Sequence, residues 1–453
     1  MTTTLHFWGG AGTVTGSNFM LESEGTKILV DCGLIQGGSY VENGNYTPFP
    51  YTPAEVSVLL VTHAHIDHIG RIPKLVKDGF RGKIISTEAT RALAEPLLMD
   101  SMELLAHAAE KAGKPQLYDE KDVAQALSLW EGVQYHSALE LPGGFRATLL
   151  DAGHILGSAM VEIVRGGRKI VFTGDLGNDR SSLVGPTEVV SDMHYLVMES
   201  VYGDRKHEDI DNRVERLEDI IESTAARGGT LLIPAFSTER TQDLVFEIRT
   251  LFMDKKVPSI PVYVDSPLAR TITDAFSAHP EYFKDDIRAR IEKGEHIFEF
   301  SELSFVHTAE ESRELHKNTG PQIIIAGSGM SQGGRVLSHE TQYLKDPKST
   351  LLIVGYQSAG SLGRALIEGV REVTIHKEKI AVKARIEELY GYSAHRDSEG
   401  LSSFVHASAP TLEGVFVTMG EPKSSLFLVQ HIRDFIGLPA TAPEAGASVQ
   451  LSL

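Results

Sequence analysis

The chain of 453 residues holds one cysteine, Cys32, and no apolar run approaching the ~20 residues that a membrane span needs. A lone thiol permits no intramolecular disulfide, which excludes a disulfide-stapled scaffold and fits a reducing cytoplasm. Basic residues are also scarce: 43 Lys and Arg stand against 61 Asp and Glu, a formal charge of −18, which excludes a protein that coats polyanions. The opening residues, MTTTLHFWGGAGTVTG, lack the basic and apolar regions of a signal peptide. Repeats, low-complexity tracts and long linkers are missing too, and no membrane partner is expected. Hydrophobic residues at 42% and charged residues at 23% are ordinary for globular chains, so the length predicts a large core shared by about two to three domains.

Histidine is plentiful by comparison, with 18 residues, several of them at the ends of predicted strands. Residues 1 to 62 read as short strands and turns, through LHFWG, SNFMLES and KILVDCG. VSVLLV at 56 to 61 is continuously apolar and predicts a strand buried on both faces. The run HIGRIPKLVKDG that follows has helical spacing. Residues 88 to 130 read as mostly helical, and strands return in RATLLDAGH, MVEIVRG, KIVFTGD and LVMES. From about 206 to 390 strands alternate with helices: TLLIPAF and a helix from Glu239, PVYVDS and a helix from Leu268, then QIIIAGS and TLLIVGY with theirs. That rhythm predicts a parallel sheet of βα units with its own core. After 390 come a helix, the strand GVFVTM, a helix from Ser424 and a short final strand.

The densest chemical signal is His63-Ala-His65-Ile-Asp67-His68 at the end of a buried strand. Four ligand-type side chains on one tight turn can serve two cations, which lie about 3.5–4 Å apart in two-metal sites. Without cations, four such groups beside a buried strand would carry an uncompensated desolvation cost. Asp31, His154 and Asp175 follow other apolar strand ends, where sites are assembled from loops on a rigid sheet. A carboxylate at Asp175 could bridge both metals.

These residues carry a resemblance. The chain resembles the metallo-β-lactamase fold and, within it, the β-CASP nucleases, which include bacterial RNA-degrading enzymes and the nuclease subunit of the pre-mRNA 3′-end cleavage complex. The matching motifs are Asp31, HAHIDH at 63–68, His154 in AGHILGS, Asp175 in TGD, Glu199 in MESVYGDRKH and His395 in YSAHRD. Between the last two lie PAFSTERTQDL, DSPLA, GSGMSQGGRVLSH and GYQSAGSLGRALIEG, so the resemblance spans essentially the whole chain. It implies an αββα metallo-β-lactamase sandwich at 1–205 and 391–453, interrupted at 206–390 by a β-CASP domain built on a mainly parallel sheet flanked by helices.

The resemblance further implies a zinc-dependent ribonuclease acting on single-stranded RNA. One Zn²⁺ takes His63, His65, His154 and Asp175, the second takes Asp67, His68 and Asp175, and Asp31 supports them. Metal-bound hydroxide attacks phosphorus, and His395, oriented by Glu199, protonates the leaving oxygen. Ser237, Arg240, Ser328, Arg335, His339 and Arg364 fall in motifs suited to substrate binding, with glycine-rich turns presenting N–H groups to phosphate. Dimers and RNA-processing partners occur in the family. One departure stands out: Met419 occupies the position where RNA-processing members carry a seventh ligand, a histidine. A thioether suits Cu(I) better than Zn²⁺, so Met419 is expected not to bind metal and the second site to be weaker. That departure motivates two alternatives, an inactive scaffold subunit and a DNA nuclease or other hydrolase on the same fold. Val201 replaces a usual threonine beside Glu199.

Overall fold

The computed structural model describes residues 2–37, 43–207, 212–355, 357, 360–389 and 391–453. Tyr356, Ser358 and Ala359 of the GYQSAGS motif lie outside the described residues. The chain divides into two compact units, one made of residues 1–179, 184–206 and 394–453, the other of residues 180–183 and 207–393.

The first unit is built on two seven-stranded sheets. From edge to edge the first sheet runs Ser448–Leu451, Thr3–Gly9, Asn18–Ser23, Thr26–Val30, Val58–Leu60, Lys83–Thr87 and Trp130–Val133. The second runs Ala440–Thr441, Gly414–Val417, Tyr195–Met198, Arg168–Phe172, Ala159–Arg165, Phe145–Asp151 and Leu139–Leu141. Strand side chains alternate between faces, so Leu5 and Phe7, Phe19 and Leu21, and Ile28 and Val30 of the first sheet share one side. They pack in one buried cluster with Leu149, Val161, Ile163, Ile170, Phe172 and Val197 of the second. On its other face the second sheet buries Met160, Val171, Leu196 and Val415 with residues of the helices Ser398–Ala407 and Pro422–His431. The helix Glu88–Ala112 lies against Lys83–Thr87 and Trp130–Val133 of the first sheet. Helix, sheet, sheet, helix is the layering that the motifs imply.

The second unit holds a six-stranded sheet in the order Leu303–Phe305, Val262–Asp265, Gln322–Ala326, Thr230–Pro234, Thr350–Ile353 and Arg385–Glu388. Every pair in it is parallel. TLLIP, QIIIA and TLLI are buried at every position, as strands covered by helices on both faces must be. The helices Arg240–Met253, Pro267–Ala278 and Val336–Tyr343 follow strands, as the βα rhythm predicts. The helical reading of 88 to 130 is corrected in part: the helix Glu88–Ala112 ends on Gly113 in the left-handed conformation, a second helix spans Glu120–Ser128, and Trp130 already begins a strand.

Strand direction gathers the candidate residues. Thr26–Val30 and Val58–Leu60 are parallel and lead into Asp31 and the HAHIDH turn. Arg168–Phe172, Tyr195–Met198 and Gly414–Val417 are mutually parallel and lead into Asp175, Glu199 and Met419. Phe145–Asp151, two antiparallel steps away, runs the same way and leads into His154.

One buried carboxyl in the second unit bears on stability. Glu340 is fully buried, Ser331 donates to its Oε1, and its Oε2 has no hydrogen-bond partner. Burial pushes its pKa up to about 7, the Ser331 hydrogen bond opposing only in part. The folded state therefore keeps a proton that the unfolded chain releases near its ordinary value, so stability falls as pH rises toward 7. Glu340→Gln should remove that slope, raising the melting temperature at pH 8 by a few degrees, on the order of 2 kcal/mol, with no gain at pH 4. Equal gains at both pH values would show that the carboxyl's charge is not the cause.

Candidate metal centre

The centre lies wholly in the first unit. The strand Val58–Leu60 delivers Thr62 and His63 to a buried turn, and the short helix Ile66–Ile69 begins directly after His65. His63 Nε2 lies 3.0 Å from His65 Nδ1, which in turn lies 3.3 Å from His154 Nε2. Asp175 Oδ2 is 3.5 Å from both His63 Nε2 and His154 Nε2. These four ligand atoms, one from each residue, lie within 4.8 Å of one another. A tetrahedral Zn²⁺ with bonds of ~2.0–2.1 Å separates its ligands by about 3.4 Å, so the set fits that ion. Burial holds the pKa of His63 below, and those of His65 and His154 well below, the ordinary imidazole value. Neutral rings are the ligating form.

Asp175 faces a second direction with its other oxygen. Oδ1 lies 3.4 Å from His68 Nε2, and both atoms are buried without a hydrogen-bond partner. A buried ring nitrogen and a buried carboxylate oxygen left without hydrogen-bond partners 3.4 Å apart are what a second cation would satisfy. Burial disfavours a charged His68, but Asp175 and Asp31 outweigh it and hold the ring well above its ordinary pKa. A bound cation would reverse that balance. Asp67, on the first turn of the helix, is half-buried and its carboxyl is pushed up by burial. It closes into neither of the two compact ligand groups found among the described residues, which are His63, His65, His154 and Asp175, and Asp175, Glu199 and His395.

Asp31 sits behind the ligands. Its Oδ2 is 2.7 Å from His68 Nδ1, and its carboxylate accepts from Thr62 N at 2.9 Å, from Thr62 Oγ1 and from Ser17 Oγ. An N–H on Nδ1 leaves the Nε2 lone pair of His68 directed at the centre. Thr62 Oγ1 also reaches His63 Nδ1 at 3.1 Å. Ser158 Oγ accepts from His154 N and Ile155 N and fixes that turn. Residue type alone does not mark Thr62, Ser17 or Ser158, though Thr62 directly precedes the HAHIDH turn and Ser158 closes the AGHILGS motif.

His395 Nδ1 is 3.2 Å from Glu199 Oε1 and 4.0 Å from Asp175 Oδ2, and its ring centre is 4.7 Å from that of His154. Glu199 is fully buried and accepts from Leu176 N at 2.7 Å and Val201 N at 3.2 Å. Burial works against a charged His395, yet the carboxylates of Glu199 and Asp175 raise it to about 9. Burial in turn raises Glu199. Met419 is buried in the core between the sheets, with φ +47°, and its N–H donates to Gly10 O at 2.6 Å. Its sulfur packs on Gly10, where a Cβ would fall 2.3 Å from Sδ.

The remaining candidates lie in the second unit. His339 is fully buried, its Nε2 2.7 Å from Asp265 Oδ2 and its Nδ1 3.0 Å from His316 Nε2. Arg335, its side chain a quarter exposed, donates to Asp265 Oδ1 at 2.5 Å and to His307 O. Ser237 pairs with Ser266 at 3.1 Å, and Ser328 Oγ accepts from Gln332 N. Arg364 donates to Glu368, and Arg240 lies over the Tyr392 ring. The GSGM turn needs Gly334, at φ +71°, because a Cβ there would fall 2.5 Å from Gly327 O.

Comparison with known proteins places the chain among metal-dependent hydrolases. The family model of the Metallo-beta-lactamase superfamily matches residues 11–227, that of the Beta-Casp domain residues 241–366, and that of the Zn-dependent metallo-hydrolase RNA specificity domain residues 379–443. Ribonuclease TTHA0252 of Thermus thermophilus is 34% identical over 87% of this chain and 88% of its own length. Transcription termination factor FttA of Methanosarcina mazei is 30% identical over 94% of this chain and 68% of its own, and that of Methanothermobacter thermautotrophicus is 31% identical over the same shares. A crystal structure of a protein of unknown function from Enterococcus faecalis V583 shares the fold, with a TM-score of 0.61 at 14% identity over 100% of both chains.

Proposed function

The chain belongs to the metallo-β-lactamase superfamily and its β-CASP branch, metal-dependent hydrolases, and from that premise we propose that it is a zinc-dependent ribonuclease hydrolysing phosphodiester bonds of single-stranded RNA. The observation that carries this reading is the division of Asp175, with Oδ2 turned to the imidazoles of His63 and His154 and Oδ1 to the orphaned Nε2 of His68. The RNA specificity domain matched at 379–443 and the ribonuclease among the relatives support the choice of substrate.

His63, His65, His154 and Asp175 would hold one cation, and Asp67, His68 and Asp175 the other, three protein ligands being the usual number for a catalytic zinc. Met419 adds no ligand in this assignment. When bound, the pair supplies an acidified water as nucleophile and neutralises charge on the phosphate. The protein then has to deliver a proton to the leaving 3′-oxygen. His395 is built for this: Nδ1 faces Glu199, which leaves Nε2 to donate, and the neighbouring carboxylates favour the protonated ring. Leu176 N and Val201 N hold the Glu199 carboxylate in place, so the imidazole has one orientation. In the second unit, Arg335 and Arg364 are the partly exposed cations we assign to RNA phosphates, with the buried His339 supporting Arg335 through Asp265.

The direct test offers purified protein labelled unstructured RNA and DNA of one sequence in the same tube. Cleavage should fall on the RNA at least about tenfold faster, stop with a chelator and return with added zinc. Equal rates on both strands, or cleavage indifferent to the chelator, would sink the assignment.

A further inference from the structure

Within the second unit, residues 371–385, REVTIHKEKIAVKAR, connect the helix Leu362–Ile367 to the edge strand Arg385–Glu388 of the six-stranded sheet. The strands Glu372–Ile375 and Glu378–Ala381 pair antiparallel as a two-stranded sheet of their own. Such a ribbon is marginal alone, and here Val373, Ile375 and Ile380 anchor it in a buried cluster with Leu351 and Ile353. His376 and Lys377 form its two-residue turn, at φ +49° and +69°. A turn with both central residues left-handed suits a hairpin but is normally filled by Asn-Gly or Asp-Gly. Lysine has no short polar side chain to offset that conformation with a local hydrogen bond. Strain retained at an exposed tip calls for a use of the side chains that the tip presents.

Charge gives that use. The segment carries five Lys and Arg against two Glu, in a chain whose formal charge is −18. Both glutamates are already taken, Glu372 by Lys379 at 3.0 Å and Glu378 by Lys345 at 2.7 Å. Arg371, Lys377, Lys383 and Arg385 remain, all exposed and none with an ion-pair partner among the described residues. Backbone hydrogen bonds tie them into one patch: Val382 N donates to Arg371 O at 2.8 Å, Lys383 N to Leu344 O at 2.7 Å and Arg385 N to Ser349 O at 3.0 Å. The patch continues onto Arg227, which donates to Thr350 Oγ1 at 2.6 Å and to Lys348 O at 3.1 Å. Burial first and Arg385 second hold the Arg227 guanidinium below its ordinary pKa, with Glu387 opposing. Like charges crowded on one ribbon weaken a fold, so packing does not account for them.

We propose that this hairpin and the start of the strand after it form a binding surface for the phosphate backbone of single-stranded RNA, read by charge and indifferent to base sequence. On a molecule whose net charge repels polyanions, four unpartnered cations on one ribbon are where a phosphate chain is attracted. The choice of RNA among polyanions rests on the ribonuclease reading above, and the surface itself uses none of the residues of the metal centre.

The test measures binding of a labelled, unstructured RNA, and of single-stranded DNA of the same sequence, between about 50 and 200 mM salt. The protein is the full-length, zinc-loaded chain carrying His395→Ala, so that the RNA stays intact, with and without Lys377→Gln, Lys383→Gln and Arg385→Gln together. Each lost phosphate contact removes about 0.7 from the slope of log affinity against log salt, so the triple substitution should lower the slope by about 2 and weaken binding about tenfold at low salt. DNA should respond as RNA does, because phosphates are what is read. In the chain that keeps His395, the triple substitution should leave turnover of bis(p-nitrophenyl) phosphate, which has no second phosphate, within about twofold. His376→Asn with Lys377→Gly decides alone if the triple variant does not fold: the favoured turn pair should raise the melting temperature while the slope falls by about 0.7. An unchanged slope overturns the proposal, and loss of polyglutamate binding in the same variant would give the surface to an acidic protein segment instead. If the unaltered chain cleaves RNA and the slope does not move, this proposal fails alone. If the unaltered chain neither binds nor cleaves RNA, the ribonuclease reading fails and takes the proposal with it.

Discussion

Asp175→Asn should abolish RNA cleavage, by at least about 10³-fold, and reduce zinc from two ions per chain to one or none. The side chain is 4% exposed, and its two oxygens serve two directions, Oδ2 toward His63 and His154 and Oδ1 toward His68. Burial opposes a charged carboxylate there, but His68, His395 and His63 hold it well below the usual range. An asparagine of the same shape keeps the packing and removes the charge. It also turns one acceptor into an N–H donor, aimed either at the lone pairs of the histidine trio or at His68. Loss of a single ligand at a site with separate ligand sets would spare the other cation, whereas a shared carboxylate makes both suffer. Metal analysis on the same sample as the kinetics is decisive, and two zinc ions per chain with more than a tenth of the activity would refute the shared role.

His395→Ala has the opposite signature: RNA turnover falls about 10²- to 10⁴-fold while zinc content holds. The ring is not among the compact set of His63, His65, His154 and Asp175, and its nearest carboxylate is Glu199 at 3.2 Å. Glu199 is fixed by two backbone N–H groups, so the pocket keeps its shape when the ring is gone. The cost then falls on proton delivery alone, with KM little changed. A fall in zinc that parallels the fall in rate would instead make His395 a ligand through its contact with Asp175.

The sheets were legible wherever apolar runs were long. VSVLLV, TLLIP and QIIIA announce buried strands, and the βα alternation announces an all-parallel sheet. Trp130–Val133 was hidden because WEGV has neither a run nor an alternation, and only the parallel pairing with Lys83–Thr87 makes it a strand. The hairpin Glu372–Ile375 with Glu378–Ala381 is likewise too short and too charged to stand out from the helix before it. In the site, residue type and spacing marked the HAHIDH turn, Asp31, His154 and Asp175. Which oxygen of Asp175 serves which histidine, and which ring nitrogen each histidine presents, are properties of strand direction and could not be read from spacing. Thr62 and Ser158 escaped because a hydroxyl acquires its role only from the carboxylate or amide it meets.

The strand order of the second sheet has a consequence for biosynthesis. Tyr195–Met198 pairs on one side with Arg168–Phe172 and on the other with Gly414–Val417, which is translated about 215 residues later. At roughly 5–20 residues per second the ribosome needs about 10–40 s to supply that neighbour. During this interval an apolar strand edge lies open beside Asp175 and Glu199, while the whole intervening unit emerges and can fold on its own sheet. Chains truncated between these two points should be cleaved by added protease faster than the full-length protein, because that edge is then unpaired.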